Sequence, residues 1–350
     1  MHLQTMKPKV TIQSIAIAAG VSTATVDRVL NGRLPVRQGT ALRVIEAADQ
    51  LGYHAAHVMR QRLSEGGPQK RLGFCLQKRS SPVYQALGQA LRMEVSRQTA
   101  GRGSTTIEFI DDLEPRVIAE RVLELGRQCD ALGLVALDHP HVNAAVAQLH
   151  GEGHPCLALL TDLSSPLRLG CVGIDNRQRG RTAAWAVRRL SDGKGDVAVF
   201  IGSHRYLGQE MSEMAFRAAL REHAPGLRVL DAQINLEDAQ LGYEATLTLL
   251  TRHPDLRGIY DTGGGATPGI VRALREDGRG RGIVTVAHGL TAEHRLALID
   301  GVIDMVIETP IGQVAEKAVA LLLGAVLPAT MPILGQTHVL PLGIYTSENV

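Results

Sequence analysis

At 350 residues, 45% of them hydrophobic and 21% charged, the chain is long enough for two or three domains, each with a proper core. No stretch approaches 18 uninterrupted apolar residues, and residues 1–9 lack the apolar centre of a signal peptide, which argues against membrane insertion and export and for a cytoplasmic protein. A net charge of +2 conceals an asymmetry: residues 1–71 carry ten Lys or Arg against four acids, and the remaining 27 basic residues face 31 acidic ones.

The basic segment opens with three short helical patterns. Thr11 is placed to cap a first helix whose Ile12, Ile15, Ala16 and Ala19 recur at helical spacing, and Gly20 ends it. Ser22 is a second capping candidate, opening a helix with Val26, Val29 and Leu30 on one side and Ala24, Arg28 and Asn31 on the other. Gly32 stops it. Val44, Ala47, Ala48 and Leu51 form a third stripe, closed by Gly52. A short alanine beside polar side chains on an exposed face lets a helix approach base edges, and an arginine there reaches guanine or phosphate. Segregated positive charge is the footprint expected for phosphate contacts.

The run AGVSTATVDRVLNG, with the closing LGY at 51–53, resembles the headpiece of the LacI family of bacterial transcription regulators. The resemblance continues over nearly the whole chain. It implies a helix-turn-helix in residues 1–53 whose second helix enters the major groove, with Thr23, Ala24 and Arg28 reading bases and Thr11, Ser22, Thr25 and Asn31 anchoring the backbone of double-stranded operator DNA. The family's usual serine before the arginine is Asp27, so the operator sequence does not carry over. Residues 54–70 take the place of the family's hinge helix and linker, which pushes a leucine into the minor groove; Leu63 is the candidate wedge. Here the chain departs from the pattern, with Ala55-Ala56 for the usual Pro-Asn and Leu63 one residue late.

From residue 71 onward short apolar runs alternate with amphipathic stretches. Strands are predicted at 72–76, 106–110, 131–137 and 156–160, then at 197–201, 229–234, 258–260, 283–287 and 303–307. That rhythm is α/β, and two parallel-sheet lobes are more economical than one wide sheet. Resemblance to the periplasmic sugar-binding proteins, on which the LacI regulatory domain is built, implies the same layout: one lobe of about 71–172 and 311–330, a second of about 173–310 and 331–350. Cys75, Cys129, Cys156 and Cys171 are widely spaced beside apolar segments and read as buried free thiols, with no metal set.

Ligands collect at the carboxyl ends of parallel strands, so polar residues ending each strand are candidates for a cleft. These are Ser81 and Tyr84 after the first strand, Asp162 after the fourth, Asp175 at a crossover, Arg205, Asp261 and Thr262, His288, and Glu308. By resemblance Tyr84 stacks on a sugar ring and Asp162 grips ring hydroxyls. An arginine that commonly follows that aspartate is Leu163, and another expected before Phe216 is Ser212. A strand-end asparagine is Gly263, the usual aspartate is His288, and the usual glutamine is Glu308. Two missing guanidiniums, unless Arg205 or Arg177 compensates, favour a small neutral sugar or polyol, and with 11 aromatics in the whole chain a large stacking platform is not expected.

The run GGGATPG at 263–269 follows a strand but has neither the Lys-Ser/Thr pair of a P-loop nor the third glycine of GxGxxG; close backbone approach to a ligand is the better account. His139 and His141 have no HExxH context and no GxSxG elbow occurs, so neither an enzyme nor a cofactor is indicated. The resemblance implies a homodimer, most often a repressor, whose effector shifts operator affinity; no heptad helix ends the chain to suggest a tetramer. The alternative is a sugar-binding or sugar-modifying protein without specific DNA binding.

Overall fold

The computed structural model describes residues 10–31, 36, 38–51, 53, 69–326 and 333–350. Leu63 lies outside them. The described residues of the N-terminal unit hold three helices, α1 (Ile12–Ala19), α2 (Thr23–Asn31) and α3 (Gln38–Gln50). A reciprocal capping box starts α1: Ser14 N–H donates to the Thr11 hydroxyl at 3.2 Å, and Thr11 N–H to the Ser14 hydroxyl at 3.0 Å. Gly20, at φ 63°, ends it in the left-handed conformation. Ile15, Ala16, Ala19, Val26, Val44, Ala47 and Ala48 form the small core, with Val10, Val21, Val29, Leu30 and Tyr53 around it. Two members of the expected stripes are exposed, Ile12 at 39% and Leu51 at 40%: Ile12 is the first residue of α1, and Leu51 follows the last residue of α3.

The larger unit begins with β1 (Arg71–Gln77), α4 (Pro82–Gln98), β2 (Ser104–Ile110), α5 (Pro115–Gln128), β3 (Ala131–Leu134), α6 (Pro140–Gly151), β4 (Cys156–Leu159) and β5 (Gly170–Ile174). It continues through α7 (Asn176–Leu190), β6 (Gly195–Ile201), α8 (Leu207–His223), β7 (Leu227–Val229), β8 (Gln233–Ile234), α9 (Ala239–Arg252), β9 (Leu256–Asp261), α10 (Thr267–Asp277), β10 (Val284–His288), α11 (Ala292–Ile299) and β11 (Met305–Glu308). Then come α12 (Ile311–Ala325), β12 (Gln336–Leu340) and β13 (Gly343–Tyr345).

Two sheets result, ordered β12-β5-β4-β3-β1-β2 and β13-β11-β10-β9-β6-β7, with β8 beside β6. The pairings β12–β5, β5–β4, β4–β3 and β3–β1 are parallel, as are those of the second sheet except the antiparallel β11–β13 pair. Their inner strands, such as β1, β3, β4 and β6, are buried on both faces, which is why they read as unbroken apolar runs.

The lobe limits differ from the sequence reading at the C-terminus. Residues 331–350 do not all belong to the second lobe: β12 pairs along β5 in the first sheet, and only β13 returns to the second. β12 is an edge strand with alternating, largely solvated residues, so no apolar run marks its sheet. The predicted strand at 229–234 is two short ones, β7 and β8, separated by a break beside β6. All four cysteines are buried free thiols. Among the described residues no helix is long and apolar enough to cross a membrane, and no cluster of His, Cys, Asp or Glu is placed to hold a metal.

Candidate functional site

Two regions carry the candidate residues. On the helical unit, Ser22, Thr23, Ala24 and Arg28 are exposed along α2 while Val26 is fully buried on its opposite side. The Ser22 hydroxyl accepts from Thr25 N–H at 3.2 Å and lies 2.9 Å from the Thr25 hydroxyl, so both side chains are fixed at the helix start. Thr11 is exposed at the start of α1. Asn31 ends α2. A capped helix packed by one face and presenting Thr-Ala-xxx-Arg on the other has the shape of a major-groove reader.

The second region is a cavity of about 500 Å³ at the carboxyl ends of the strands of both lobes. Ser81, Tyr84, Thr262 and His288 line it, as the sequence led one to expect. Lys78, Thr161, Asn176, Arg179, Tyr206, Gln209 and Glu237 join them. Hydrogen bonds cross between the lobes at its edge. Lys78 Nζ donates to the carbonyls of Leu236 and Glu237, the Tyr206 hydroxyl donates to Gln77 Oε1, and Gly208 N–H donates to Thr161 Oγ1 at 3.2 Å. The lobes are thus closed on each other.

Backbone strain concentrates here. Lys78 (φ 40°), Leu160 (φ 63°) and Glu237 (φ 55°) are left-handed without being glycine, as is Leu236 beside Glu237 (φ 51°). Such conformations cost about 1–3 kcal/mol each and persist where the surroundings over-determine them. In the Leu236–Glu237 pair the consequence is visible: Glu237 Oε1 accepts from Gln209 Nε2 at 2.5 Å and Oε2 from Gly265 N–H at 2.9 Å. Burial, and the neighbouring charge of Asp261, push this carboxyl up to about 7, against the opposing pull of its two donors and Lys78.

That seat explains the glycine run. A Cβ on Gly263 would lie 1.9 Å from Glu237 Oε1, one on Gly265 2.3 Å from Oε2, and one on Gly264, at φ 87°, 2.1 Å from the His288 carbonyl. Close backbone approach is indeed what these glycines permit, but the group approached is the protein's own.

Several expected cleft residues are occupied otherwise. Asp162 is absent from the lining: it pairs in two-pronged fashion with Arg168, Nε to Oδ1 at 2.6 Å and Nη2 to Oδ2 at 2.8 Å. Asp175 caps α7, accepting from Gln178 N–H at 2.9 Å. Glu308 accepts from Leu290 N–H and so holds the loop after β10. Asp261 is fully buried behind the lining and accepts from the Thr267 hydroxyl at 2.7 Å; burial raises its pKa. Arg205 is exposed outside the cavity. Thr262 lines the cavity but donates its hydroxyl to the Phe200 carbonyl at 3.0 Å.

Arg179 and His288 form the other polar end. The Arg179 side chain donates from Nε to Ser212 Oγ at 3.1 Å and from Nη2 to the Gly208 carbonyl at 3.0 Å; Ser212 Oγ is 2.6 Å from the Tyr260 hydroxyl. His288 Nε2 lies 3.3 Å from Thr309 Oγ1, and its Nδ1 is buried without a partner among the described residues. Burial first, then the charge of Arg179, drive the His288 pKa well below its ordinary value, so the ring is neutral. Arg179 escaped the sequence reading although a signal existed. It falls on the buried stripe of α7 with Ala183, Ala186 and Val187, where a charge is out of place.

Known proteins agree with both regions. Residues 11–55 match the model of bacterial regulatory proteins of the lacI family, and residues 87–327 that of the periplasmic binding protein domain. An uncharacterised HTH-type transcriptional regulator from Streptomyces limosus is 29% identical over 60% of this chain and 58% of its own length. The HTH-type transcriptional regulator MalR of Streptomyces coelicolor is 36% identical over 34% of this chain and 36% of its own. The chain therefore spans less than two thirds of either relative. A solute-binding protein from Agrobacterium vitis, solved with α-D-tagatopyranose, superposes with a TM-score of 0.73 at 17% identity, covering 80% of this chain and 95% of that one, which establishes the fold. With residues 87–327, more than half of the sequence, matched, the chain belongs to the periplasmic binding protein domain family, and its residues 11–55 carry the domain of the lacI family of bacterial regulatory proteins.

Proposed function

We propose that this protein is a DNA-binding transcriptional regulator whose operator affinity is set by a small sugar or polyol held between its lobes. The observation that carries the reading is the exposed Thr23, Ala24 and Arg28 face of a packed, capped helix in a segment rich in positive charge. One headpiece offers few contacts, so two, brought by a homodimer, sit on a palindromic operator, with Thr11, Ser22, Thr25 and Asn31 on the phosphate backbone and Leu63 as the minor-groove wedge. Such a protein acts where its operator is, in the cytoplasm. As in most of the family, operator binding represses.

The closed lobes support a population-shift mechanism. Lys78, Tyr206 and Gly208 bond across the cavity, so a ligand engaging both of its walls favours the closed arrangement over an open one. Only that difference in affinity is transmitted to the DNA end, with a coupling of about 1–3 kcal/mol in typical cases.

The test is a gel-shift titration on a duplex that the wild-type protein selects from a randomised library. Arg28→Ala is expected to weaken binding to that duplex by roughly 5- to 150-fold, the worth of about 1–3 kcal/mol, while sugar-induced thermal stabilisation is unchanged. Failure of the wild-type chain to select any duplex overturns the reading and leaves a sugar-binding protein without specific DNA recognition.

A further inference from the structure

The Arg179 guanidinium is a buried cation without an ionised partner. Its side chain belongs to a residue 5% exposed, and among the described residues no Asp or Glu oxygen lies within 4.0 Å of its nitrogens. A guanidinium has five N–H donors. The protein engages them with Ser212 Oγ, the Gly208 carbonyl and the Tyr260 hydroxyl, all neutral, and leaves the rest at the cavity it lines. A charge withdrawn from water and met only by neutral groups is costly, and the cost falls when an anion completes the pair.

A second, independent feature stands beside it. Among the described residues His288 Nδ1 is buried with no hydrogen-bond partner, and the Thr309 hydroxyl can donate to Nε2, which leaves Nδ1 able to carry the proton. Arg179 and His288 together then present only donors. The acids nearest the cavity are committed elsewhere: Glu237 to Gln209 and Gly265, Asp261 to Thr267, and Glu308 to Leu290. Asp238 caps α9 and Glu293 is exposed to solvent.

The charge balance chooses between anions. With the Glu237 and Asp261 carboxyls already beside Lys78 and Arg179, the basic residues of the lining, a monoanion adds less repulsion than a phosphate dianion. A planar carboxylate also suits the fork of a guanidinium. Ser212, where the resemblance leads one to expect an arginine, accepts from Arg179, so the guanidinium arrives from α7 in place of α8.

We propose that the cavity takes a sugar acid, a polyhydroxylated monocarboxylate whose carboxylate sits on Arg179 and His288 Nδ1 while its hydroxyls reach Gln209 and Glu237. The assignment rests on the reading of the cavity as a sugar site and replaces the neutral ligand suggested by the missing arginines.

The experiment measures calorimetric affinities of the full-length protein, at fixed ionic strength, for matched sets: galactose, galactonate and galacturonate; xylose and xylonate; and galactose 6-phosphate. At least one acid is expected to bind about tenfold or more tightly than its neutral parent, the usual gain of a charged hydrogen bond. Arg179→Gln is expected to abolish the preference, and Arg179→Lys, which keeps the charge and the packing of the stem, to retain part of it. Equal or tighter binding of the neutral sugars by the wild-type chain overturns this assignment alone, as does a preference that survives in Arg179→Gln or a phosphate that outbinds every acid. Binding of none of the set overturns the sugar reading as well, and the wild-type measurements decide this whether or not the variants fold.

Discussion

Replacing Glu237 by glutamine isolates the most perturbed carboxyl that lines the cavity. Its pKa rises from 4.5 to about 7 on folding, through burial and the charge of Asp261. The folded pKa exceeds the unfolded one, so the native state holds the proton longer. The group's stabilising contribution is complete below pH 4.5 and is lost as the pH climbs through 7. At about 1.4 kcal/mol per unit, the wild-type chain forfeits roughly 3 kcal/mol from this group between acid and pH 8.5. The glutamine amide is neutral throughout.

In Glu237→Gln one oxygen accepts from Gly265 N–H or Gln209 Nε2, and the NH2 faces the other donor. Protonated Glu237 has the same mismatch, since its O–H also faces a donor. The two chains should therefore lie within about 1 kcal/mol of each other at pH 5, and the variant should be more stable by roughly 3 kcal/mol at pH 8.5. His288 and His294, both held neutral by burial, contribute the opposite pH trend, but equally in both chains, so they cancel in the difference. Denaturant unfolding of the two-lobed domain, followed by far-UV circular dichroism at both pH values, reads the effect. Parallel pH profiles for the two chains would refute the assignment of a buried, proton-holding Glu237.

Two further substitutions separate packing from binding. Asp162→Ala removes the two-pronged partner of the half-buried Arg168 and is expected to cost about 2 kcal/mol of stability with no change in sugar affinity; a tenfold weaker Kd would place Asp162 back among the ligand contacts. Gly269→Ala puts a Cβ 1.7 Å from the Ala239 carbonyl and 2.7 Å from Tyr243 N, both backbone, so α9 and α10 must separate. A loss of about 3 kcal/mol or more follows, whereas Gly312→Ala, with open space around it, should match or slightly exceed wild type. Similar melting temperatures for the two alanine variants would contradict the close approach of the helices.

The elements that the sequence reveals are those whose physics is periodic. The three helices of the headpiece carry their core on one face and their cap residues at the ends, so Thr11, Ser22 and Gly20 are readable from spacing alone. The buried parallel strands announce themselves as apolar runs. β12 does not, because an edge strand with solvated side chains has no reason to be apolar, and its sheet is set by pairing with β5. The same division runs through the cavity. Ser81, Tyr84, Thr262 and His288 are legible as polar residues at strand ends, a position fixed by topology.

Glu237 is not legible in that way, because it enters from a loop whose two left-handed residues no propensity favours; its position depends on glycines at 202, 263 and 265 that are distant or uninformative in sequence. Asp162 is legible in position, but its pairing with Arg168 is not, since only the fold brings Arg168 onto it. Arg179 lies between these cases. One arginine among several in NRQRGRTAAWAVRR looks like solvated charge until the helical period is applied, and then it alone among them shares the stripe that packs on α8. A charge on a buried stripe requires a counter-charge from the protein or from something it binds, and among the described residues none stands beside Arg179.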